Sequence, residues 1–340
     1  MDQKELKILV TLGPSSLMKT VINKCDEIGV YLYRINLSHT PLSDLANLIS
    51  KVQEWTKTPI CLDSEGAQLR NQKMVNEDVL FKEGEEVVIH HNEVVGDSNN
   101  ISFNPPGVSR QLEIGDTIKV DFRNAELKIV DVKKSYCLAT VVSSGVVGSN
   151  KAADVDRVIE FDPLTKKDIA AIRIGLNLGI TNFALSFANR RADVELMKEV
   201  CGADSNIICK IESKEGLTNL LEILSLADQV LIDRGDLSRQ IPIQKIPFLQ
   251  RKIISLAVQH KKPVFVATNL LESMVTQKTP TRAEVNDVVS TIQMGANGLV
   301  LAAETAVGQF PDGAVKMINE LIVECKNYNP DKLLEDLLIN

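Results

Sequence analysis

One short apolar segment ends in two oppositely charged side chains. Residues 206–209 read Asn-Ile-Ile-Cys, and Lys210 and Glu212 follow two positions apart. Side chains two apart on an extended strand point to the same face, so the ammonium and the carboxylate would lie side by side. Buried charge is costly unless it is paired or binds a metal. An isolated pair of this kind is typical of a salt bridge, whereas the same pattern on other strands would favour an active site.

The pattern recurs where other apolar segments end. Polar or charged residues at these positions are Arg34, Asn36 and Ser38; Asp63 and Ser64; the Arg234-Gly235-Asp236 run; Thr268; and Glu304. Each residue alone has an ordinary structural interpretation as a helix cap, a turn residue or a surface ion pair. Their repetition on six segments is better explained by one site, provided that the segments end at the same place.

The residue types indicate metal-assisted chemistry on a small anion. Glu212 and Asp236 are hard oxygen ligands suited to Mg²⁺, and Arg34 and Lys210 suit a phosphate or a developing negative charge. Gly235 lets the backbone approach a ligand closely. The sequence has neither a Gly-x-Ser-x-Gly motif nor a glycine-rich phosphate loop. A second, all-oxygen cluster carries one negative charge and suits a monovalent cation: Asn36, Ser38, Asp63 and Ser64.

Eight apolar segments alternate with helical patterns along most of the chain, which predicts an α/β fold with a (β/α)₈ TIM barrel. The predicted strands are residues 7–12, 31–36, 59–63, 182–187, 206–212, 229–233, 263–268 and 298–304. An open doubly wound sheet is the alternative. The polar strand ends favour the barrel, because a barrel keeps its active site at the carboxyl ends of its strands.

The alternation breaks between about residues 70 and 159, where short β-rich runs alternate with turns. This predicts a small all-β domain inserted into the barrel. We therefore expect the barrel at residues 1–69 and 161–330, the inserted β-barrel domain at 70–160, and a C-terminal tail at 331–340.

Composition limits the classes of partner. The chain has 340 residues, of which 44% are hydrophobic, and its net charge of −7 argues against nucleic acid or an anionic membrane as the main partner. No apolar run approaches the length of a membrane-spanning helix, which is about 18 residues. The charged first residues do not resemble a signal peptide. Six scattered cysteines indicate reduced thiols and a cytoplasmic protein.

Several motifs at these positions resemble those of the pyruvate kinase family. They are Arg34-Ile-Asn-Leu-Ser-His39, Leu62-Asp-Ser-Glu-Gly-Ala-Gln-Leu-Arg70, Lys210-Ile-Glu-Ser-Lys-Glu-Gly216, Arg234-Gly-Asp-Leu237, Ala267-Thr-Asn-Leu-Leu-Glu-Ser-Met274 and Pro280-Thr-Arg-Ala-Glu284. The similarity runs from about Lys7 to Asn327 and covers the family's barrel and inserted β domain. We expect the family's C-terminal domain, which commonly carries the effector site, to be absent.

The resemblance implies phosphoryl transfer from phosphoenolpyruvate to ADP, giving pyruvate and ATP, with the inserted domain closing as a lid. The implied catalytic and substrate-binding residues are Arg34, Lys210, Gly235, Asp236 and Thr268. The implied Mg²⁺ (or Mn²⁺) ligands are Glu212 and Asp236, and the implied K⁺ ligands are Asn36, Ser38, Asp63 and Ser64. By the same resemblance, the nucleotide would be bound by Arg70, Lys151 and His39. A homo-oligomer is compatible with the resemblance.

Three departures from the family's pattern concern nucleotide binding, proton delivery and dependence on K⁺. Ala302 stands where the family has a serine tied to proton delivery, Val307 replaces a phosphate-binding lysine, and Gln68 replaces a glutamate associated with K⁺ dependence. We therefore expect ADP to bind more weakly than phosphoenolpyruvate and K⁺ to matter less than in a typical member of the family. Two other functions stay open: Mg²⁺-dependent enolate chemistry on pyruvate, phosphoenolpyruvate or a related oxo-acid (an aldolase, lyase or decarboxylase), and a non-catalytic phosphoenolpyruvate-binding protein.

Overall fold

The computed structural model describes residues 6–66, 68–121 and 124–331, which form two compact units. The first, the barrel unit, comprises the chain up to Ser64 and from Lys166 onward, and the second, the β unit, comprises Glu65–Thr165. The sequence predicts the inserted domain at residues 70–160, within the bounds of the β unit. Of the predicted tail at 331–340, only Asp331 lies within the described residues.

The barrel unit begins with strands and helices in alternation: β1 (Lys7–Thr11), α1 (Lys19–Ile28), β2 (Leu32–Asn36), α2 (Leu42–Trp55) and β3 (Ile60–Asp63). The strands are buried along almost their whole length, as expected for parallel strands covered by helices. Helix α1 ends at Gly29, whose φ of 99° is left-handed and whose N–H donates to carbonyl groups of the last turn. Glycine adopts that conformation without steric cost, so it stops the helix there.

The β unit follows β3 and contains nine strands within its described residues. They are β4 (Leu69–Asn71), β5 (Val79–Phe81), β6 (Glu86–His90), β7 (Asn100–Asn104), β8 (Thr117–Val120), β9 (Ala125–Val132), β10 (Tyr136–Ser143), β11 (Gly145–Val147) and β12 (Ala152–Val155). Seven close a barrel in the order β10-β6-β7-β4-β12-β8-β9, and β5 pairs with β11. Alternate residues such as Leu127 and Ile129 face a separate apolar core, which is the period of two expected of half-buried strands.

The chain then returns to the barrel unit. Its remaining elements are α3 (Lys166–Asn177), β13 (Asn182–Leu185), α4 (Arg191–Cys201), β14 (Asn206–Ile211), α5 (Lys214–Thr218), α6 (Leu220–Leu226), β15 (Gln229–Asp233), α7 (Arg234–Gln240), α8 (Ile246–Gln259), β16 (Val264–Ala267), α9 (Arg282–Gln293), β17 (Gly298–Leu301), α10 (Ala303–Ala306) and α11 (Pro311–Asn327).

Eight parallel strands close the barrel, and this confirms the predicted fold class. Strand β1 pairs with both β2 and β17, and β3 pairs with β13 across the insertion. All eight strands contribute to one buried apolar cluster, with residues such as Leu9, Ile208 and Phe265. Because this cluster fills the interior, polar groups can gather only at the strand ends.

All six cysteines are free thiols, and five of them are buried. Burial raises the pKa of Cys25 and of Cys209 to about 12, which keeps both thiols protonated. No helix among the described residues is long and apolar enough to cross a bilayer.

Candidate active site

Arg34 and Lys210 converge on one carboxylate at the carboxyl end of the barrel. Arg34 Nη1 donates to Asp63 Oδ2 at 2.9 Å, and Lys210 Nζ donates to the same oxygen at 3.3 Å. Arg34 lies on β2, Asp63 ends β3 and Lys210 lies on β14, and all three are at most 7% exposed. Two buried cations are tolerable here because Asp63 pairs with both.

Two side chains that the sequence analysis did not single out complete this network. Ser186, which follows β13, donates to Asp63 Oδ1 at 3.2 Å and accepts from Lys210 Nζ at 3.0 Å. Thr11, the last residue of β1, accepts from Arg34 Nε at 3.0 Å through its hydroxyl. Both are polar residues at barrel strand ends, so the signal that predicted Arg34 would also have found them.

Three carboxylates lie together beside Lys210. Oxygens of Glu212, Asp233 and Asp236 all lie within 4.8 Å of one another. Lys210 Nζ is 2.8 Å from Glu212 Oε1 and 4.0 Å from Asp233 Oδ2. The structure thus brings the predicted metal ligands Glu212 and Asp236 together and adds Asp233. Asp233 was not among the predicted site residues, although it is the polar last residue of β15.

The charge states of these groups differ because their partners differ. Burial alone would lower the pKa of Lys210, but Asp63, Glu212 and Asp233 raise it, so the ammonium stays charged. Burial raises the pKa of Glu212 to about 8, and Lys210 opposes the rise. Burial and the nearby Asp233 likewise raise the pKa of Asp236. Burial works against ionisation of Asp233 too, but Lys210 and the Thr268 hydroxyl lower its pKa.

Glu212 fits a metal ligand. It is 1% exposed, and Phe187 N donates to its Oε2 at 2.7 Å. Its Oε1 contacts Lys210 Nζ at 2.8 Å and has no other partner among the described residues. A buried carboxylate oxygen whose partner is a single ammonium, next to like charges, can also bind a divalent cation, and oxygen donors are what Mg²⁺ and Mn²⁺ prefer.

Thr268 follows β16 with a φ of 74°, which is a rare conformation for a β-branched residue. Its hydroxyl donates to Asp233 Oδ1 at 2.7 Å, and Arg234 Nε donates to its carbonyl at 3.0 Å. Gly235 N donates to the same Asp233 oxygen at 3.2 Å. Strain of this kind persists where surrounding contacts impose it, and it is common at functional sites.

The four predicted ligands of a monovalent cation lie on and beside adjacent strands. Asn36 and Asp63 are register partners at the ends of β2 and β3. Asn36 Oδ1 accepts from Ser38 N at 3.0 Å, and Ser64 Oγ accepts from Ser186 N at 3.0 Å. Each of these oxygens already serves a donor of the protein but retains a further lone pair.

Glu304 does not join the carboxylate group. It is 1% exposed, and its oxygens accept from Leu271 N at 3.1 Å and from Ala302 N at 2.8 Å. These bonds fix the chain after β16 and β17, so Glu304 has a structural role.

The predicted nucleotide-binding residues are spread over both units. In the β unit, Arg70 Nη1 donates to Asn150 O at 2.9 Å, and Lys151 Nζ is 3.8 Å from Asp121 Oδ2. In the barrel unit, His39 is exposed after β2. Val307, where the family's pattern has a lysine, is 58% exposed after α10.

Comparison with known proteins agrees with this geometry. A family model described as the pyruvate kinase barrel domain matches residues 3–315. The chain is 34% identical to a pyruvate kinase of Geobacillus stearothermophilus, over 94% of this chain and 56% of that protein. It is 32% identical to a pyruvate kinase of Thermotoga maritima, over 95% of this chain and 71% of that protein. It is also 32% identical to plastidial pyruvate kinase 3 of Arabidopsis thaliana, over 97% and 59% of the two chains.

The chain therefore spans between about half and three-quarters of the length of these relatives. The matched region includes every strand of the barrel unit and the strand ends that carry the charged network. The chain belongs to the pyruvate kinase family.

Proposed function

We propose that this protein transfers a phosphoryl group between phosphoenolpyruvate and ADP, giving pyruvate and ATP, in a reaction that requires Mg²⁺. The observation that carries the proposal is the convergence of Arg34 and Lys210 on Asp63, beside three carboxylates. Two fixed cations next to oxygen ligands for a metal match a small substrate that bears both a phosphate and a carboxylate. The names of the relatives support the same reaction.

Arg34 and Lys210 would hold the transferring phosphoryl group. Lys210 is charged although buried, and Asp63 orients both cations. Donors that are already in place stabilise developing negative charge without a reorganisation cost during the reaction. The network is therefore suited to the transition state of phosphoryl transfer.

Glu212 and Asp236 would hold Mg²⁺ or Mn²⁺, and the bound ion would neutralise charge on the substrate oxygens. Gly235 and Thr268 would lie around the substrate carboxylate and the carbon that is protonated. The Thr268 hydroxyl donates its proton to Asp233, so only its lone pairs would be available to the substrate. Arg70, Lys151 and His39 are the proposed nucleotide contacts.

We propose that K⁺ binds at Asn36, Ser38, Asp63 and Ser64 but raises the rate less than in a typical member of the family. Gln68 supplies no charge for a cation, and its Oε1 is buried without a hydrogen bond from a described residue. A Gln68→Glu variant should respond to K⁺ more strongly than the parent. Rates in K⁺ and in tetramethylammonium at equal ionic strength measure this, since screening is then constant. Equal stimulation of parent and variant would count against the role of position 68.

A coupled assay with lactate dehydrogenase tests the proposed reaction. Phosphoenolpyruvate, ADP and Mg²⁺ should yield pyruvate, and a chelator should stop the reaction. No pyruvate under saturating substrates and metal would refute the proposal and leave enolate chemistry or a non-catalytic binding protein.

Enolate chemistry is the second candidate, favoured by Ala302, which offers no hydroxyl at the end of β17. It predicts Mg²⁺-dependent exchange of the pyruvate methyl protons with D₂O in the absence of nucleotide. Exchange without any ATP formation would favour this candidate over phosphoryl transfer.

A further inference from the structure

We propose that Asp233 is a third carboxylate ligand of the divalent cation, beside Glu212 and Asp236. This inference rests on the proposed function, which needs a metal at this position. Neither the motifs nor the comparisons assign a role to Asp233, the last residue of β15.

The three carboxylates are close enough for one ion. Their oxygens lie within 4.8 Å of one another. Ligands at about 2.1 Å on opposite sides of an octahedral Mg²⁺ are about 4.2 Å apart. A small contraction of side chains would therefore bring all three onto one cation.

In each carboxylate, one oxygen is anchored by the protein. Phe187 N donates to Glu212 Oε2 at 2.7 Å, and Arg239 Nη1 donates to Asp236 Oδ1 at 3.0 Å. Asp233 Oδ1 accepts from the Thr268 hydroxyl and from Gly235 N. The anchors fix the three side chains in position, as the supporting contacts of metal ligands do.

The other oxygens of Glu212 and Asp233 already face one cation. Lys210 Nζ lies 2.8 Å from Glu212 Oε1 and 4.0 Å from Asp233 Oδ2. Glu212 Oε1 is buried and has no partner besides Lys210 among the described residues. These two oxygens therefore border a position of negative potential. The single ammonium of Lys210 does not neutralise this potential, whereas a divalent ion beside the ammonium would.

The test is direct binding of Mn²⁺, measured from the electron paramagnetic resonance signal of free Mn²⁺ without substrate or nucleotide. Asp233→Asn retains an amide oxygen for Thr268 and Gly235 but removes the charge. It should bind Mn²⁺ at least about tenfold more weakly than the parent, since the loss of even an indirect supporting contact lowers metal affinity 10–100-fold.

Asp131→Asn is the matched control, because Asp131 is paired with Lys133 in the β unit and its loss removes the same charge. It should bind Mn²⁺ like the parent.

The outcomes separate this inference from the proposed function. Unchanged affinity of Asp233→Asn, with weaker binding by Glu212→Gln, would overturn the role of Asp233 and leave the proposed function standing. Unchanged affinity in both variants, or no Mn²⁺ binding by the parent, would overturn both.

A second measurement needs no variant and decides the question if Asp233→Asn does not fold. The number of water ligands on protein-bound Mn²⁺ can be counted by electron–nuclear double resonance in H₂¹⁷O. Six-coordinate metal with three protein oxygens keeps about three waters, whereas two protein oxygens leave about four. A count of four would overturn the proposal.

Discussion

At the scale of single residues, Lys210 pairs with Asp63 and with the carboxylates of Glu212 and Asp233. It contacts Asp63, Ser186 and Glu212 within 3.3 Å. Lys210→Met should lower the turnover rate by about 10²–10³, the usual effect of losing one group aimed at developing charge. The variant should remain folded by circular dichroism but unfold at lower denaturant, because buried carboxylates lose their partner.

Lys198→Met is the control for that change. Lys198 pairs with Asp228 at 2.9 Å near the surface, away from the strand ends. It should keep parental activity in the same coupled assay. If Lys210→Met retained more than half of the parental rate, the reaction centre would lie elsewhere.

Val307 lies, exposed, where the family's pattern has a cation for the nucleotide phosphates. Val307→Lys should lower the Michaelis constant for ADP about tenfold, since a charged hydrogen bond contributes about 1.5–3 kcal/mol. Val323→Lys adds the same charge at a position 43% exposed on α11 and should change nothing. An equal effect of both lysines would reveal only general attraction of the anionic nucleotide.

Residue spacing predicted that Arg34, Lys210 and Glu212 meet, but it missed Thr11, Ser186 and Asp233 and did not show which side chains pair. The strand-end rule identified Arg34, Lys210 and Glu212 because the carboxyl ends of barrel strands always meet. It assigned Asp63 only to a monovalent cation, whereas the structure makes Asp63 the counter-ion of Arg34 and Lys210. Such pairing depends on side-chain reach across separate strands, which spacing along the chain does not encode.

At the scale of elements, the junction of β15 with α7 packs against the end of β16. A Cβ on Gly235 would lie 2.9 Å from Thr268 Cγ2. Gly235→Ala should therefore displace Thr268 and lower kcat by about tenfold to 10²-fold, the effect of a small misplacement of a reacting group.

Gly313→Ala is the matched control for Gly235→Ala. On α11, a Cβ at Gly313 meets Phe310 Cβ at an ordinary 3.5 Å. This variant should keep its kcat and gain about 0.5–1 kcal/mol of stability from helix propensity. Full activity of Gly235→Ala would show that Thr268 does not need its observed position.

The strand ends are also where sequence-based boundaries were least accurate. Strands predicted to reach residues 187, 268 and 304 end at Leu185, Ala267 and Leu301. The chain leaves the sheet after the first two of these strands because Phe187 and Thr268 have positive φ. Apolar periodicity reports the face of a residue and carries no information on the sign of φ, so these functional turns could not be predicted.

At the scale of the whole molecule, Glu212 links pH to folding. Its folded pKa of about 8 exceeds the ordinary 4.5, so the folded state holds more protons than the unfolded state between these values. When a chelator removes metal ions, the contribution of Glu212 to the free energy of unfolding is fully present below pH 4.5. This contribution is lost as pH rises through 8. The parent should lose stability relative to Glu212→Gln over this range.

Urea unfolding of parent and Glu212→Gln at pH 5, 6.5 and 8 measures that difference and cancels titrating groups that do not interact with Glu212. Mn²⁺ should restore stability to the parent at pH 8, because a ligand of the folded state stabilises it. Parallel curves for the two proteins would show that Glu212 titrates normally.

We expect the strand-end network to bind phosphoenolpyruvate through both its cations and a metal. Calorimetric titration of phosphoenolpyruvate into the parent with Mn²⁺, into the parent with a chelator, and into Lys210→Met with Mn²⁺ tests it most directly. We predict binding in the first titration and at least about tenfold weaker binding in the other two, since each removes an attractive charge beside the substrate. Equal affinity in all three titrations would contradict the account, because the substrate would then bind without Lys210 and without metal.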